Sequence, residues 1–444
     1  MTLDSNTSRH ADAALHAQGD GPHADTLDDL LAAYRPGDCL LASPSGAWLG
    51  QGVACALPAA PEPAWPASAQ GRTQAGAALS RQVRDLLRQA ASLPGQDDPL
   101  VMGVVPFDVR QPARLVVPQR VRRAPAGTAT VSAASNASVP LDAAAPPWTP
   151  AKLARPPEPE PAPAAYEAAV SNALARFARG ELDKVVLART LRLTLQAAPD
   201  RAALLRRLAA GNAQGYTYAI ALHDAAQAAA EGLAQPAAFV GATPELLVRR
   251  IGRQVVVNPL AGSAARSADA ARDPQIGQAL MQSTKDRHEH AVVIDSVARA
   301  LRPLCRTLRV PATPSLVATD ALWHLSTTLT GELADPATTS LDLALALHPT
   351  PAVCGHPTAA AFDAIAALEP FERGFFAGFV GWCDARGDGE WAVALRCAEL
   401  RDHHLRLFAG AGIVAGSVPA SESLETGTKL RTMLSALGLG KALD

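Results

Sequence analysis

Two pairs of acidic residues have a spacing that could hold a divalent cation. Asp286 and Glu289 are three residues apart in a helical pattern, and Glu422 and Glu425 repeat this spacing further along the chain. Residues three apart share one face of a helix, so two such helices across a cleft would bring four carboxylates together. Mg²⁺ prefers carboxylate, water and substrate oxygens. The alternative is two solvated helix faces, with Lys429 giving weak support one turn beyond Glu425.

An arginine and a glycine-rich run offer two ways to hold an anion. Arg396 lies in the alternating segment GEWAVALRCAEL, where strand geometry would place it on a face of alanines with room for a ligand carboxylate. Gly410, Gly412 and Gly416 would let a ligand approach backbone N–H groups. The glycine spacing does not match the dinucleotide-binding fingerprint. The alternatives are an edge-strand arginine and a bulged strand.

Three further residues could transfer protons or bind a substrate. Lys184 opens the apolar segment KVVLAR, where burial would favour a neutral amine that can act as a general base. The alternative is that Lys184, like most lysines at the end of a strand, extends its amino group into water. Glu245 follows Thr243 and Pro244, a combination that is also typical of an ordinary helix start. His324 falls on the polar face of WHLSTTLTG, and an isolated histidine there is more typical of a structural role.

The elements around these residues alternate without a regular strand–helix–strand repeat. Apolar runs such as CLLAS and LVMGVV predict strands, and helical periodicity predicts a helix over 77–93 and others later in the chain. We expect one long helix over 276–304, another over 420–439, and an alanine-rich loop near residue 230. GEWAVALRCAEL and WHLSTTLTGEL are each interpreted as one alternating run. This pattern predicts an α+β sandwich.

Three regions follow from composition along the chain. Residues 1–25 are polar and predict a disordered tail. Residues 26–165 predict a variable N-terminal portion that ends in a Pro/Ala-rich linker, because nine prolines between Pro140 and Pro163 exclude helix and central strand. Residues 166–444 carry every candidate site residue, and we expect them to pack with 26–125 as one body.

Bulk composition excludes several classes of protein. The 444 residues carry a formal net charge of −2, which gives no sign of nucleic-acid or anionic-membrane binding. No apolar run approaches the roughly 20 residues needed to span a bilayer. The N-terminus does not resemble a secretory signal, and the six cysteines form no C-x-x-C pair. We therefore expect a cytoplasmic protein with free thiols.

The collinear order of these segments resembles the chorismate-utilising enzymes, and within them the siderophore-type isochorismate synthase branch. The match covers about 184–437 and is loose before residue 166. The segments that carry it are KVVLAR, FVGATPELL, NPLAGSAAR, STKDRHEH, WHLSTTLTG, LHPTPAVCG, ERGFFAGFVGWCD, GDGEWAVALRCAEL, FAGAGIVAGS and ETGTKL. The resemblance implies a fold like that of anthranilate synthase component I, with two large antiparallel sheets flanked by helices.

The resemblance also implies roles for individual residues. Lys184 would be the general base that activates water for attack at C2 of chorismate, and Glu245 the general acid that protonates the departing C4 hydroxyl. Arg396 and the backbone N–H of Gly410 would hold the enolpyruvyl carboxylate. The remaining pocket residues would be His324, Ala352, Phe376, Gly262 and Lys429. Mg²⁺ would be bound by Glu289 and Glu425, supported by Asp286 and Glu422.

Differences within the family favour isomerisation. Aminating relatives lack a lysine at position 184, and one branch of them has a lysine where this chain has Ala261. Salicylate-forming relatives usually carry Thr near position 352 and Tyr near position 376, whereas this chain has Ala352 and Phe376, which resemble the isomerase pattern. Val353 is a minor departure from that pattern. The resemblance thus implies a Mg²⁺-dependent isomerase, a monomer without a glutaminase subunit. A salicylate synthase and a non-catalytic chorismate-binding protein stay open, as does the choice among siderophore, salicylate and menaquinone synthesis.

Overall fold

The architecture, seen in a computed structural model, is a layered arrangement of antiparallel sheets and helices. The structure describes residues 24–58, 65–127, 148–440 and 442. In those residues the helices are α1 (Leu27–Ala33), α2 (Ala69–Ala91), α3 (Pro163–Ala178), α4 (Arg201–Ala210), α5 (Ala225–Ala230), α6 (Asp273–Gln282), α7 (Thr284–Leu301), α8 (Ser340–Leu347), α9 (Thr358–Leu368) and α10 (Pro419–Ala436).

The strands of the same residues fall into an N-terminal and a C-terminal set. The first set is β1 (Cys39–Ser43), β2 (Gly46–Gln51), β3 (Cys55–Ala56), β4 (Leu100–Val105), β5 (Arg114–Val117), β6 (Arg120–Pro125) and β7 (Glu158–Glu160). The second set is β8 (Lys184–Thr194), β9 (Tyr216–Ala221), β10 (Ala238–Thr243), β11 (Leu246–Ile251), β12 (Gln254–Asn258), β13 (Leu260–Ala265), β14 (Cys305–Arg309), β15 (Ser315–Ala318), β16 (Leu322–Ser326), β17 (Leu329–Leu333), β18 (Gly355–His356), β19 (Phe379–Asp384), β20 (Gly389–Val393), β21 (Cys397–Arg401) and β22 (His404–Val414).

Two large sheets and one small sheet contain all of these strands. The ten-stranded sheet has the order β18-β8-β22-β21-β10-β9-β1-β2-β6, with β7 also paired to β8. The nine-stranded sheet has the order β14-β17-β12-β11-β20-β19-β4-β5-β3, and the small sheet has the order β13-β16-β15. Both large sheets therefore contain strands from the N-terminal and the C-terminal set. The domain boundary at residue 165 stays a prediction.

Two buried clusters form the core. The larger one joins the facing sides of the two large sheets, where Ile413 of β22 and Trp391 of β20 are inaccessible to solvent, and it extends onto α2, α7 and α8. The second cluster lies between the outer face of the ten-stranded sheet and α1, α4 and α10. Because aromatic residues make up only 4% of the sequence, small and branched apolar side chains form most of both clusters.

The chain changes sheets at several points, and two predicted strands are wrong for this reason. GEWAVALRCAEL is divided between β20 in the nine-stranded sheet and β21 in the ten-stranded sheet. Arg396 lies in the connection with a φ of 49°, so it has no place in a strand alternation. WHLSTTLTGEL is likewise divided between β16 and β17 in different sheets.

Three other local predictions also differ from the structure. The single helix expected over 276–304 is two helices, because Ser283 ends α6 and its side chain caps α7 by accepting a hydrogen bond from the Asp286 N–H. The segment near residue 230 contains the short helix α5 instead of a loop alone. Glu245 lies between β10 and β11, so the helix-start interpretation of that residue is wrong.

The remaining sequence predictions concern the linker, the thiols and the membrane. Of the predicted tail and linker, residues 1–23 and 128–147 lie outside the described residues, while β7 pairs the end of the proline-rich stretch with β8. All six cysteines fall within the described residues and are free thiols. Among the described helices, none has the length and apolarity to traverse a bilayer.

Candidate active site

The points where the chain changes sheets surround one cavity of about 830 Å³ including its open mouth. This size is typical of small-molecule sites. Twelve of the thirteen residues predicted for the site line the cavity: Glu245, Gly262, Asp286, Glu289, His324, Ala352, Phe376, Arg396, Gly410, Glu422, Glu425 and Lys429. They come from segments up to 184 residues apart in the chain, so tertiary structure alone brings them together.

Lys184 is the thirteenth predicted residue, and it does not line the cavity wall. Its side chain is 1% exposed and its Nζ lies 2.8 Å from Oε1 of Glu289, in an ion contact without hydrogen-bond alignment. Gly412 makes room for this pair, because a Cβ there would come within 2.4 Å of the same Glu289 oxygen. Lys184, the predicted base, is therefore in direct contact with Glu289, one of the predicted metal ligands.

The glycine-rich strand that carries Gly410 and Gly412 is regular. Strand β22 pairs with β8 residue by residue from His404 to Val414 without a shift in register, so the bulged-strand interpretation is wrong. The carbonyl oxygen of Gly410 accepts a 2.8 Å hydrogen bond from Nζ of Lys429. The glycines therefore serve to bring the strand backbone close to charged side chains of the cavity.

Glu245 has the properties of a proton donor near neutral pH. The change from β10 to β11 turns its side chain into the cavity, and the Val393 N–H donates a 3.0 Å hydrogen bond to its carbonyl oxygen. Burial raises the pKa of the carboxyl from 4.5 to about 7, against the opposing effects of the Leu260 backbone and of the positive charges on Lys184 and Arg396. At physiological pH this group carries a proton for a substantial part of the time.

Positively charged and neutral donors occupy the neighbouring wall. Burial lowers the pKa of the Arg396 guanidinium, while the carboxyls of Glu425 and Glu245 oppose the shift. Burial, assisted by the charges of Arg396 and Lys429, lowers the pKa of His324 well below 6.5, so this imidazole is neutral. Its Nε2 is buried and has no hydrogen-bond partner among the described residues. An arginine fork and an unsatisfied imidazole nitrogen are suited to a polar anionic ligand.

The four predicted carboxylate ligands line the same cavity, and each of the three glutamates is paired with a lysine. Glu289 contacts Lys184 at 2.8 Å, and Glu422 contacts Lys285 at 3.3 Å. The third pair joins Lys429 and Glu425 at 2.5 Å. In the part of the chain that the structure describes, no three His, Cys, Asp or Glu side chains are already arranged as a metal site.

The charges of this cluster are nevertheless of the kind that a divalent cation would balance. Burial raises the pKa of Asp286, and the nearby Glu289 and Glu425 raise it further, while Ser283 opposes the rise. Burial also raises the pKa of Glu422, with a contribution from Glu425. For Glu425 itself burial acts in the same direction, but the lysine and serine partners outweigh it and lower its pKa. The four carboxylates of the cavity are hard oxygen donors and fit Mg²⁺ in donor chemistry.

Two functional-site residues were missed by sequence reasoning. Lys285 lines the cavity mouth and pairs with Glu422, and Ser263 donates a 3.3 Å hydrogen bond to Glu425. Lys285 is adjacent to Asp286 in the motif STKDRHEH, which was the one available signal. Gly262 illustrates a contact that residue spacing in the sequence cannot predict. Its φ of 78° places its backbone against Asp286, and this contact depends on the fold.

Comparison with known proteins identifies the family of the chain. A family model described as chorismate binding enzyme matches residues 128–438. The chain belongs to the chorismate-binding enzyme family. It is 47% identical to isochorismate synthase DhbC of Bacillus subtilis, over 93% of this chain and 96% of that protein.

Solved structures agree with this assignment. The crystal structure of the Bacillus anthracis protein assigned as DhbC, a 2,3-dihydroxybenzoate-specific isochorismate synthase, has a TM-score of 0.80 and 40% identity, and covers 93% of this chain and 100% of that one. Anthranilate synthase component I from Streptococcus pneumoniae has a TM-score of 0.61 at 19% identity, covers 90% of each chain, and shares the fold. The predicted family, α+β fold and isomerase class are confirmed.

Proposed function

We propose that the chain is a Mg²⁺-dependent isochorismate synthase that converts chorismate to isochorismate. The observation that carries the proposal is the buried carboxyl of Glu245, with a pKa of about 7, in the same cavity as Arg396 and four carboxylates. A proton donor, an anion binder and a set of hard oxygen ligands are what this reaction needs. The relatives named isochorismate synthases have the same family membership.

In this proposal water adds at C2 of the ring, the two ring double bonds shift, and the C4 hydroxyl leaves as water. Lys184 accepts the proton of the attacking water, which requires its Nζ to leave its contact with Glu289. Glu245 donates a proton to the departing oxygen. Since one water enters and one leaves, catalysis depends mainly on the placement of acid and base.

The two carboxylates of chorismate would be held at different places. Arg396 and Lys429 are two of the cations that line the cavity, and we assign the enolpyruvyl carboxylate to Arg396 and the backbone N–H of Gly410. His324, with its free Nε2, would accept or donate a hydrogen bond to the substrate without changing its charge. Gly262, Ala352 and Phe376, which stacks on Phe408 at 5.3 Å, shape the apolar wall.

Glu289 and Glu425, supported by Asp286 and Glu422, would hold Mg²⁺. When bound, the ion would hold the ring carboxylate and withdraw electron density from the ring. The lysines that now pair with the glutamates would have to exchange partners. Of the three lysines, Lys285 is the most exposed, with 43% of its side chain accessible to solvent, so it could release its glutamate into water most readily.

Incubation of the purified protein with chorismate and Mg²⁺, followed by chromatographic separation of the products, tests the proposal. Isochorismate as the product supports it. Salicylate together with pyruvate would instead show a salicylate synthase, and chorismate binding without turnover would show a non-catalytic binding protein. A Lys184→Ala variant in the same assay serves as the control for non-enzymatic breakdown of chorismate.

A further inference from the structure

Strand β8, which begins at Lys184 and forms part of the cavity wall, has a gap along its outer edge. On that edge β18 pairs with Lys184 and Val185, and β7 pairs with Thr190–Arg192. Between these two short strands, no strand in the described part of the chain pairs with this edge. Backbone groups in a buried gap need other hydrogen-bond partners.

Glu369 and Arg373 fill this gap with side-chain hydrogen bonds. The carboxylate of Glu369 accepts a 2.8 Å hydrogen bond from the Ala188 N–H, and Nη2 of Arg373 donates a 2.8 Å hydrogen bond to the Val186 carbonyl. Nη1 of Arg373 donates a 2.8 Å hydrogen bond to the Val353 carbonyl. Both side chains are 3% exposed, and Nε of Arg373 donates to Glu369 at 2.8 Å. The Val186 N–H donates a 2.8 Å hydrogen bond to the Cys354 carbonyl, so this contact and the Glu369–Arg373 pair together take the place of a missing strand.

Three of the segments that this pair touches contribute to the cavity. Val186 and Val353 line it, and the carbonyl of Arg373 accepts a 3.0 Å hydrogen bond from the N–H of Phe376, another lining residue. The guanidinium also lies 4.5 Å from the ring centre of Phe107 in the core. A buried ion pair contributes little net stability compared with apolar packing, so stability alone is a weak reason for its presence.

We propose that Glu369 and Arg373 are positioning residues, which hold β8, and with it Lys184, in register with the Val353 and Phe376 walls of the cavity. This inference rests on the proposed isochorismate synthase activity, because it concerns the placement of the base in that reaction. The planar fork of Arg373 is required, since it binds two carbonyls and one carboxylate in fixed directions. A lysine ammonium has neither the reach nor the geometry to make these contacts together.

The test compares Arg373→Lys with a matched substitution, Arg250→Lys. Arg250 is also buried, with 5% of its side chain exposed, and its guanidinium binds Asp388 at 3.0 Å and the carbonyls of Arg386 and Pro336 at 2.9 and 3.0 Å. It does not line the cavity. Both variants should therefore lose thermal stability to a similar extent, and only Arg373→Lys should lose catalysis.

We expect kcat to fall about 100-fold in Arg373→Lys, as for a displacement of about 1 Å in a reacting group. KM for chorismate should change less than threefold, and Arg250→Lys should keep kcat within twofold of the wild type. Glu369→Gln keeps an acceptor for Ala188 but loses the charge, so it should show a smaller loss of kcat. If Arg373→Lys does not fold, the loss of kcat in Glu369→Gln tests the inference in its place.

Hydrogen exchange measured by mass spectrometry gives a second readout that does not depend on turnover. The peptide covering 184–190 should exchange faster in Arg373→Lys and in Glu369→Gln than in the wild type. Its exchange rate in Arg250→Lys should equal that of the wild type. Equal kcat in both arginine variants, or equal exchange of this peptide in both, would overturn the inference. If the wild type does not convert chorismate, the proposed function fails, and the exchange comparison still decides whether the pair positions β8.

Discussion

Replacement of Glu245 by glutamine should change both catalysis and the pH dependence of stability. Glutamine has the same size and keeps hydrogen-bonding capacity, but it neither donates an acidic proton nor ionises. If Glu245 is the general acid, kcat should fall by about 100- to 10,000-fold, the usual contribution of such a group. In the wild type, kcat should decline above a pH of about 7, because the pKa of the buried carboxyl lies there.

The stability effect follows from the same shift in pKa. In the unfolded chain Glu245 loses its proton near pH 4.5, whereas in the folded chain it keeps the proton to about pH 7. The folded state therefore binds more protons between these values, so the free energy of unfolding falls as pH rises through this window. The full loss corresponds to about 3 kcal/mol, and most of it should appear between pH 5 and pH 8.

Urea unfolding of the wild type and of Glu245→Gln at pH 5 and pH 8 measures this difference. The variant lacks this pH-dependent loss, so its free energy of unfolding relative to the wild type should increase from pH 5 to pH 8 by about 2 to 3 kcal/mol. Chorismate turnover measured over the same pH range gives the catalytic half of the prediction.

Glu390→Gln is the matched control for both halves. Glu390 is also buried, burial raises its pKa, and it accepts a 2.8 Å hydrogen bond from Ser45, but it does not line the cavity. The free energy of unfolding of Glu390→Gln relative to the wild type should increase from pH 5 to pH 8, and its turnover of chorismate should equal that of the wild type. A Glu245→Gln enzyme with turnover within tenfold of the wild type, or with no gain in relative stability at pH 8, would refute the reasoning.

Three further predictions concern the base, the anion binder and the metal. Lys184→Ala should lose about 100- to 10,000-fold in kcat, yet bind chorismate within threefold of the wild type by calorimetry; wild-type rates would contradict its role as base. Arg396→Lys should raise KM about tenfold through loss of the bidentate contact, and an unchanged KM would remove Arg396 from carboxylate binding. Dialysis against EDTA should stop turnover until Mg²⁺ is restored, and Mg²⁺ should raise Tm of the wild type but not of Glu425→Gln. Full activity in metal-free protein would exclude the proposed metal role.

Much of the candidate site could be predicted from the sequence because the motif residues are close together within each segment. The pairs Asp286/Glu289 and Glu422/Glu425 lie on helices that form as the periodicity predicts, and all four side chains face one cavity. The same periodicity did not predict the break at Ser283, since a serine that caps a helix also occurs within one.

The placement of Arg396 shows what local patterns cannot determine. Alternation assigned it to a strand face, whereas it occupies a left-handed connection between two sheets, where its side chain enters the cavity. Nothing in the alternation of GEWAVALRCAEL indicates that the chain leaves one sheet for another after Val393. That change is dictated by the pairing of β20 and β21 with strands distant in sequence.

By itself, the sequence determined the helical and apolar segments, the α+β class and the chemical types of the site residues, because these depend on neighbours a few positions away. Only the tertiary structure decided that Lys184 contacts Glu289, that Lys285 contacts Glu422, and that the Glu245 carboxyl is buried deeply enough to keep its proton. These properties depend on charge, distance and exclusion of water among residues that are far apart in the chain. They arise when the two sheets pack and enclose the cavity.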